Sequence, residues 1–335
     1  MAFSKLALLA SGLALSAIPC FAQTAAPPLK VQLAAASAGA TYIAPYLALA
    51  KGYYRDAGLD VSIANFQSGS KAMEAMMGGS VDAVAGAYSN GILMAARGQK
   101  VQTFVNYLRC PGYVLAVGKA HRATQVSDLR GMTIGVTAPG SSTQQALNYL
   151  FVKAGLSPSD YTAVGIGNTA GSIAAVRYGK VDATMGVDPG ISMLTQDGSA
   201  KVLIDLRDVD ASRKAVGGSY PEGSLLARTD YIAAHKQVMQ GLTDAVVRAD
   251  RFIAASSPDE IVAALPPDIV GPDPAVFRES VARMKTCYSP DGVLPADGPA
   301  TVLDILRASD PTVRAATIDL SATFTNAFTD KAPTH

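Results

Sequence analysis

The chain has 335 residues, a net charge of +1 and 49% hydrophobic residues, while 16% of its residues are charged and none is tryptophan. This length exceeds what one hydrophobic core comfortably organises and fits two domains. The weak net charge and the lack of basic runs argue against a nucleic-acid partner, and the hydrophobic content excludes a disordered chain.

The first 22 residues have the pattern of an export signal. An apolar segment at 6–18 is too short to span a bilayer comfortably, and Ala22 lies at a suitable cleavage position. We predict cleavage after Ala22. Cys20 suggests a lipoprotein alternative, which Pro19 in front of it disfavours. No later stretch has the roughly 18 uninterrupted apolar residues of a membrane-spanning helix. The sequence therefore predicts export to the periplasm.

A five-residue phrase, Gly-x-Val-Asp-Ala, occurs at 79–83 and again at 179–183. An apolar helical stretch precedes each copy, and a short strand follows it. Further upstream, 31–41 matches 132–143 in the same order of elements. An internal repeat of a whole β-α-β-α-β unit predicts two similar α/β lobes.

The remaining elements follow in chain order. Predicted strands cover 31–36, 59–66, 83–87, 101–108, 113–117, 132–137, 161–166, 183–187, 202–206 and 224–227. Helices between them are predicted at 42–57, from 68, at 88–98, at 143–154, at 171–178 and after 188–189. Beyond residue 229 the pattern is almost entirely helical, with a long apolar stripe over 238–253 and further helices at 258–265, 274–284, 299–308 and 320–328.

Alternating strands and helices indicate an α/β fold with two lobes and mainly parallel sheets flanked by helices. We assign 30–112 and 224–330 to lobe 1 and 113–223 to lobe 2. The helical C-terminal segment is expected to pack on lobe 1. In such sheets ligands bind where the carboxyl ends of strands meet helix N-termini, so a ligand cleft is expected between the lobes.

The strand-to-helix turns are rich in hydroxyl groups and glycines, and free N–H groups at a helix start can bind an anion without a lysine. The candidate ligand-binding residues are Ser37, Gly39, Thr41, Tyr42, Ser68, Ser70, Tyr88, Ser89, Ser141, Ser142, Thr143, Asn168, Asp188 and Tyr220. Each polar member could instead be an ordinary helix cap, and the tyrosines could be packing residues. Asp188 either binds a cationic group or caps the next helix. Arg109 either pairs with a ligand anion or is a solvated hinge residue.

Catalytic and cofactor motifs are weak. His121, His235 and His335 are scattered without metal-ligand spacing. The segment 165–171 resembles a dinucleotide fingerprint, but its last glycine comes one position late. We expect neither a catalytic residue nor a metal nor a cofactor.

Two cysteines, Cys110 and Cys287, remain after the predicted cleavage. In an oxidising compartment a disulfide between them would contribute ~2–5 kcal/mol to stability. The spacing alone leaves open whether they are bridged or free.

Motifs along the mature chain resemble one known family. They include Pro45-Tyr46-Leu47-Ala48, Gly69-Ser70 followed by 79–82, Ser127-Asp128-Leu129-Arg130-Gly131 and Ile318-Asp319-Leu320-Ser321. In this order they resemble the periplasmic solute-binding proteins of ABC importers for nitrate, sulfonates, taurine and thiamine-precursor pyrimidines. The resemblance implies a class II bilobal fold that closes on its ligand and docks to a membrane permease with its ATPase.

The resemblance and the turn chemistry together predict a monomeric binding protein for a small organic anion, either a sulfonate or a carboxylate, with aromatic carboxylates included. A neutral pyrimidine or amide-type ligand is the alternative within binding proteins. An enzyme on the same fold is the alternative of another class, since a fold does not fix function.

Overall fold

A computed structural model of the protein describes residues 27–332. The predicted export signal and its Cys20 lie outside the described residues. Among the residues that are described, no helix is both long and apolar enough to cross a bilayer.

Ten strands form two separate five-stranded sheets. They are β1 (Leu29–Ala35), β2 (Leu59–Asn65), β3 (Ala83–Ala87), β4 (Val101–Asn106), β5 (Tyr113–Gly118), β6 (Thr133–Val136), β7 (Thr162–Gly165), β8 (Ala183–Val187), β9 (Ala200–Asp205) and β10 (Gly223–Arg228). The strand orders are β2-β1-β3-β10-β4 and β7-β6-β8-β5-β9. In the first sheet β10 runs antiparallel to both of its neighbours, and in the second sheet β5 does. The predicted α/β class with two mainly parallel sheets is confirmed, and each sheet is mixed.

Fifteen α-helices connect and cover the strands over residues 27–332. They are α1 (Ile43–Ala50), α2 (Tyr53–Asp56), α3 (Gly69–Met77), α4 (Tyr88–Ala96), α5 (Ser142–Lys153), α6 (Thr169–Arg177), α7 (Gly190–Gln196), α8 (Val209–Val216), α9 (Thr229–Ala234), α10 (Lys236–Ala255), α11 (Pro258–Ala263), α12 (Pro267–Val270), α13 (Pro274–Met284), α14 (Gly298–Ser309) and α15 (Pro311–Ala315).

The repeated sequence phrase has the same structural role in both sheets. Gly79 and Gly179 adopt positive φ values of 76° and 61° where helices α3 and α6 end, a conformation that favours glycine. The carboxylates of Asp82 and Asp182 then accept hydrogen bonds from the backbone N–H groups of Gln32 and Thr133, each at 2.8 Å. The phrase therefore ends a helix in each half. Its aspartate then bonds the start of β3 to β1 in the first sheet and the start of β8 to β6 in the second.

Two predicted helices differ from the observed elements. The helix expected over 42–57 is divided into α1 and α2 because Gly52 adopts a φ of 74° between them. The helix expected over 320–328 is replaced by short 3-10 turns. There, Thr325 donates its N–H to the carbonyl of Thr103, and Thr103 donates to the carbonyl of Thr323. Because the edge of β4 engages these backbone groups, the segment cannot continue as a helix.

The C-terminal helices contact both halves of the molecule. Helix α10 packs against α1 and α2, as expected for a segment that covers the first sheet, whereas α14 packs against both α4 and α5. Helix α8, which the sequence pattern did not reveal, begins at the side-chain cap of Asp208.

A disulfide joins Cys110 to Cys287, with their Cα atoms 5.3 Å apart. Cys110 lies between β4 and β5, where the chain first crosses from one sheet to the other. Cys287 ends a short 3-10 turn that follows α13. The bond therefore attaches the first crossing to the C-terminal helical layer.

Candidate functional site

A closed cleft lies between the two sheets at the ends of five strands. Its cavity has a volume of about 20 Å³, which is enough for roughly one water molecule. The lining residues are Ala36, Ser37, Tyr42, Ser68, Gly69, Tyr113, Thr137, Ser142, Thr143, Asn168 and Val187. They follow or end β1, β2, β6, β7 and β8, or begin β5. The cleft thus lies where the parallel-sheet rule expects a ligand.

Six residues predicted from the sequence line this cavity. They are Ser37, Tyr42, Ser68, Ser142, Thr143 and Asn168. Ser68 is also the N-cap of α3, since its hydroxyl accepts a hydrogen bond from the N–H of Lys71 at 3.4 Å, and it lies 3.0 Å from the hydroxyl of Ser70. Capping a helix and facing the cleft are therefore compatible roles for one side chain.

The start of α5 contains three hydroxyl groups with different partners. The hydroxyl of Ser141 caps the helix by accepting from the N–H of Gln144 at 3.4 Å. It also lies 2.8 Å from the hydroxyl of Thr143. Ser142 instead accepts from the Tyr113 hydroxyl at 2.6 Å and donates to Oε1 of Glu222 at 3.3 Å. The hydroxyl of Thr143 accepts from the N–H of Thr137 at 3.1 Å. Ser142 is therefore the member of this turn whose hydroxyl bonds to residues distant in the sequence.

Glu222, which the sequence analysis did not select, lies directly behind the cavity wall. The side chain of Glu222 is fully buried. Besides the hydrogen bond from Ser142, its Oε1 accepts one from the Tyr42 hydroxyl at 3.0 Å. Burial raises the pKa of Glu222 to about 7, although nearby hydroxyl groups partly offset this effect. Glu222 is the single charged residue between Lys214 and Arg228. A lone acidic residue at the start of an apolar strand is the signal that could have identified it.

Tyr88, Ser89 and Tyr220 are buried but do not line the cavity. The Tyr88 hydroxyl lies 2.6 Å from the hydroxyl of Thr323 near the C-terminus. Tyr88 and Tyr220 belong to an apolar cluster that includes Val302 of α14. In this closed form the two tyrosines pack against the C-terminal layer.

Asp188 and Gly39 bring together loops from the two different sheets. The buried Asp188 carboxylate accepts from Nη1 of Arg207 at 2.8 Å and from the N–H of Ser192 at 2.9 Å. A Cβ atom at Gly39 would lie 2.8 Å from the carbonyl oxygen of Asp188. Next to Gly39, the hydroxyl of Thr41 is buried without a hydrogen-bond partner among the described residues. Asp188 thus acts in an ion pair, and Gly39 permits the close contact of the loops.

Backbone groups at three helix starts contribute to the electrostatics of the cleft. None of the residues that line the cavity is charged, but α3, α5 and α6 begin at or beside lining residues. Helix N-termini carry about half a positive charge and free N–H donors. Arg109 lies elsewhere, where it donates to Asp291 at 2.6 Å and to Ser289 at 3.0 Å. Within residues 27–332, no group of three or more His, Cys, Asp or Glu side chains is placed to hold a metal ion.

Two solved structures have the same fold. A protein of Bordetella bronchiseptica RB50 is 38% identical, with a TM-score of 0.86 over 91% of this chain and 97% of its own. The alkanesulfonate-binding protein SsuA of Xanthomonas axonopodis pv. citri, solved with bound MOPS, is 23% identical, with a TM-score of 0.65 over 85% and 92% of the two chains. At that identity the SsuA likeness concerns the fold alone.

Sequence comparison identifies relatives of two kinds. YtlA of Bacillus subtilis strain 168, which carries a binding-protein name, is 23% identical over 270 residues, or 79% of each chain. The 4-amino-5-hydroxymethyl-2-methylpyrimidine phosphate synthase of Schizosaccharomyces pombe strain 972 is 31% identical over 143 residues, which are 43% of this chain and 40% of that enzyme. The family model described as NMT1/THI5 like matches residues 40–261.

Proposed function

The chain belongs to the NMT1/THI5-like family, and from this premise we propose that it is the solute-binding component of an ABC importer. It captures a small organic anion, a sulfonate or a carboxylate, between its two sheets. It then delivers this ligand to a membrane permease that works with an ATPase. The protein acts as a periplasmic monomer without a cofactor.

The hydroxyl-lined cleft with its helix N-termini carries this proposal. Ser142, Thr143 and Asn168 from one sheet meet Ser37 and Ser68 from the other around one cavity. Neutral hydroxyl donors together with helix starts can bind a sulfonate or a carboxylate without a lysine or an arginine. SsuA, which shares this fold, was solved with the sulfonate MOPS, and sulfonates are therefore among the compounds to be tested.

Ligand entry requires the two lobes to separate. A cavity of about 20 Å³ is far smaller than any sulfonate that the protein could bind. We assign lobe 1 to residues 30–112 and 224–330 and lobe 2 to 113–223. The crossings between β4 and β5 and between α8 and β10 then act as the hinge. Closure about this hinge would bury the ligand between the lobes.

A neutral pyrimidine or amide ligand is the second candidate, and the lack of any charged residue among those lining the cavity favours it. The same hydroxyl groups would bind its carbonyl and ring nitrogen atoms. The partial relative from Schizosaccharomyces pombe is named for a pyrimidine product. Because that relative is named as an enzyme, the test below also measures whether this protein converts its ligand chemically.

A thermal-shift screen of the protein without residues 1–22 tests the proposal. The compounds are sulfonates, nitrate, aliphatic and aromatic carboxylates, pyrimidines, amides and ureas. A ligand at a hundred times its dissociation constant stabilises the folded state by ~2.7 kcal/mol, so we expect a clear rise in Tm for one class. Recovery of the bound compound unchanged supports a binding protein. The absence of a shift with every class, or chemical conversion of the ligand, contradicts the proposal.

A further inference from the structure

Glu222 has an unused hydrogen-bonding atom in a fully buried position. Its Oε1 accepts from Tyr42 and Ser142. Its Oε2 has no hydrogen-bond partner among the described residues. A buried polar atom without a partner costs about 1–3 kcal/mol, and more when it is charged. The protein therefore keeps an acceptor in a position that is costly in the closed form.

A role as a connection between the lobes does not account for this carboxyl group. Tyr42 precedes α1 beside the first sheet, and Ser142 begins α5 beside the second. Their two hydrogen bonds to Oε1 connect the two halves. A neutral acceptor such as glutamine would make both bonds without burying an ionisable group. The connection between the lobes therefore does not explain why the second carboxyl oxygen, Oε2, is buried at this position.

The surrounding side chains also leave the carboxyl group without a cationic partner. No lysine or arginine lines the cavity. The guanidinium of the buried Arg207 bonds to Asp188 at 2.8 Å and to Asp205 at 2.5 Å. A ligand N–H group that approaches Glu222 would therefore not compete with a lysine or an arginine among the residues that line the cavity.

Other unpartnered polar atoms lie close to the same wall. The Nδ2 donor of Asn90 has no hydrogen-bond partner within residues 27–332, and it lies so close to Gly69 that a Cβ atom there would collide with it. Gly69 lines the cavity. The unpartnered hydroxyl of Thr41 lies one residue before the lining residue Tyr42. The wall thus combines a strong acceptor with separate donors, as a ligand with both kinds of group would require.

We infer that Glu222 is a ligand-binding residue and that the solute carries an N–H donor, such as an amide, an amine or a ring amino group, that bonds to its carboxyl group. This inference rests on the proposed binding function and specifies the ligand further. The acidic or carbonyl end of the solute binds the free backbone N–H groups at the start of α5, beside the lining residue Thr143. The N–H end faces Glu222. An aminosulfonate, an aminobenzoate and an aminopyrimidine all fit this description, whereas nitrate does not.

The test compares pairs of compounds in which methyl groups replace every N–H hydrogen. The pairs are taurine with N,N,N-trimethyltaurine, 4-aminobenzoate with 4-(dimethylamino)benzoate, benzamide with N,N-dimethylbenzamide, and 4-aminopyrimidine with 4-(dimethylamino)pyrimidine. Ethanesulfonate, benzoate and nitrate serve as anions without an N–H group. Affinities are measured by titration calorimetry on the wild-type protein. We expect the N–H member of a binding pair to bind roughly ten- to a hundredfold more tightly, as a hydrogen bond to a carboxylate predicts.

Two variants separate the role of Glu222 from the size of the methyl groups. Glu222→Gln removes the ionisable group and should reduce the preference for the N–H member at least tenfold. Glu74→Gln is the matched control, because Glu74 is exposed on α3 and pairs with Lys71 on the same helix, and it should keep the wild-type preference. The wild-type comparison remains decisive if Glu222→Gln does not fold.

The possible outcomes distinguish this inference from the proposed function. Equal affinities within the pairs, or binding confined to ethanesulfonate, benzoate or nitrate, overturn the inference while the binding function stands. An unchanged preference in Glu222→Gln overturns it as well. If no member of either set binds and the wider screen also shows no shift, the proposed function itself fails.

Discussion

At the residue scale, Glu222 combines three properties that bear on the function of the cleft. It is fully buried, it bonds to side chains from both halves of the molecule, and its pKa is raised to about 7. The facing titratable groups are the hydroxyls of Tyr42, Tyr107, Tyr113 and Tyr220, and burial raises the pKa of each of them. Below pH 8 the charge at this position therefore changes only through Glu222.

This shift makes the stability of the protein depend on pH. The pKa of Glu222 is higher in the folded state than the ordinary value of 4.5, so the folded state binds the proton more tightly. Its stabilising contribution is complete below pH 4.5 and is lost as pH rises to about 7. The loss from this group is ~3 kcal/mol at most, at about 1.4 kcal/mol per pKa unit. In Glu222→Gln, we expect a smaller fall in Tm between pH 5 and pH 8.

Part of the fall should persist in that variant. Asp250 is also fully buried, its two carboxyl oxygens have no hydrogen-bond partner among the described residues, and burial raises its pKa. The exposed Glu74→Gln variant should follow the wild-type curve. Identical pH profiles for Glu222→Gln and the wild type would contradict the assigned shift.

Ser142 permits a second test at the residue scale. Ser142→Ala removes a hydroxyl that accepts from Tyr113 and donates to Glu222. It leaves the buried Tyr113 hydroxyl without this acceptor, which costs about 1–3 kcal/mol. We expect a lower free energy of unfolding in urea and a weaker affinity for the compound identified in the screen. Ser80→Ala, at an exposed turn, should change neither quantity. Unaltered affinity in Ser142→Ala would remove Ser142 from the site.

At the element scale, the loops after β1 and β8 determine how closely the two sheets approach. Gly39 lies in the first loop and contacts the backbone of Asp188 in the second. The backbone of Gly39 is extended, with a φ of −164°, so any residue could adopt its conformation. A larger side chain at position 39 is therefore excluded by the narrow space between the two loops and not by the backbone conformation.

Gly39→Ala should favour the open form. Its Cβ atom would lie 2.8 Å from the carbonyl oxygen of Asp188 in the closed form, and overpacking of this kind costs about 1–3 kcal/mol. We expect a roughly ten- to hundredfold weaker affinity and a larger radius of gyration in small-angle X-ray scattering with ligand present. Gly78→Ala is the control, because its nearest neighbour is the carbonyl of Glu74 at the end of its own helix, 3.3 Å away. Equal affinities of Gly39→Ala and the wild type would refute closure at this contact.

At the scale of the whole molecule, one disulfide closes more than half of the chain. Cys110 and Cys287 are separated by 177 residues in sequence, and Arg109 donates its N–H to the carbonyl of Cys287 beside the bond. A bond across so long a loop restricts the unfolded chain strongly. It also holds the first crossing between the sheets against the C-terminal layer.

Removal of the disulfide should destabilise the protein without changing its fold. We expect the double variant Cys110→Ala and Cys287→Ala to lose ~2–5 kcal/mol of unfolding free energy in urea, with an unchanged circular dichroism spectrum. The protein without residues 1–22 should show no free thiol under denaturing conditions. Two free thiols per chain would contradict the bond.

The architecture of this protein could be predicted from local sequence patterns, because strands, helices and turns depend on residues that are close in the chain. The repeated phrase at 79–83 and 179–183 predicted two similar halves, and it fills equivalent positions in both sheets. The hydroxyl-rich turns predicted most of the cavity wall. The side-chain caps at Ser68 and Ser141 are likewise local interactions.

The side chains that meet across the cleft, in contrast, could be identified only from the folded structure. Glu222 bonds to Tyr42, 180 positions away, and to Ser142, 80 positions away, and no local pattern encodes such distances. The same holds for Asp188, which pairs with Arg207, and for the segment after Leu320, which pairs with β4 and does not form the predicted helix. The physical reason is that these partners depend on how the two sheets and the C-terminal layer pack, whereas propensity and capping act within a few residues of the chain.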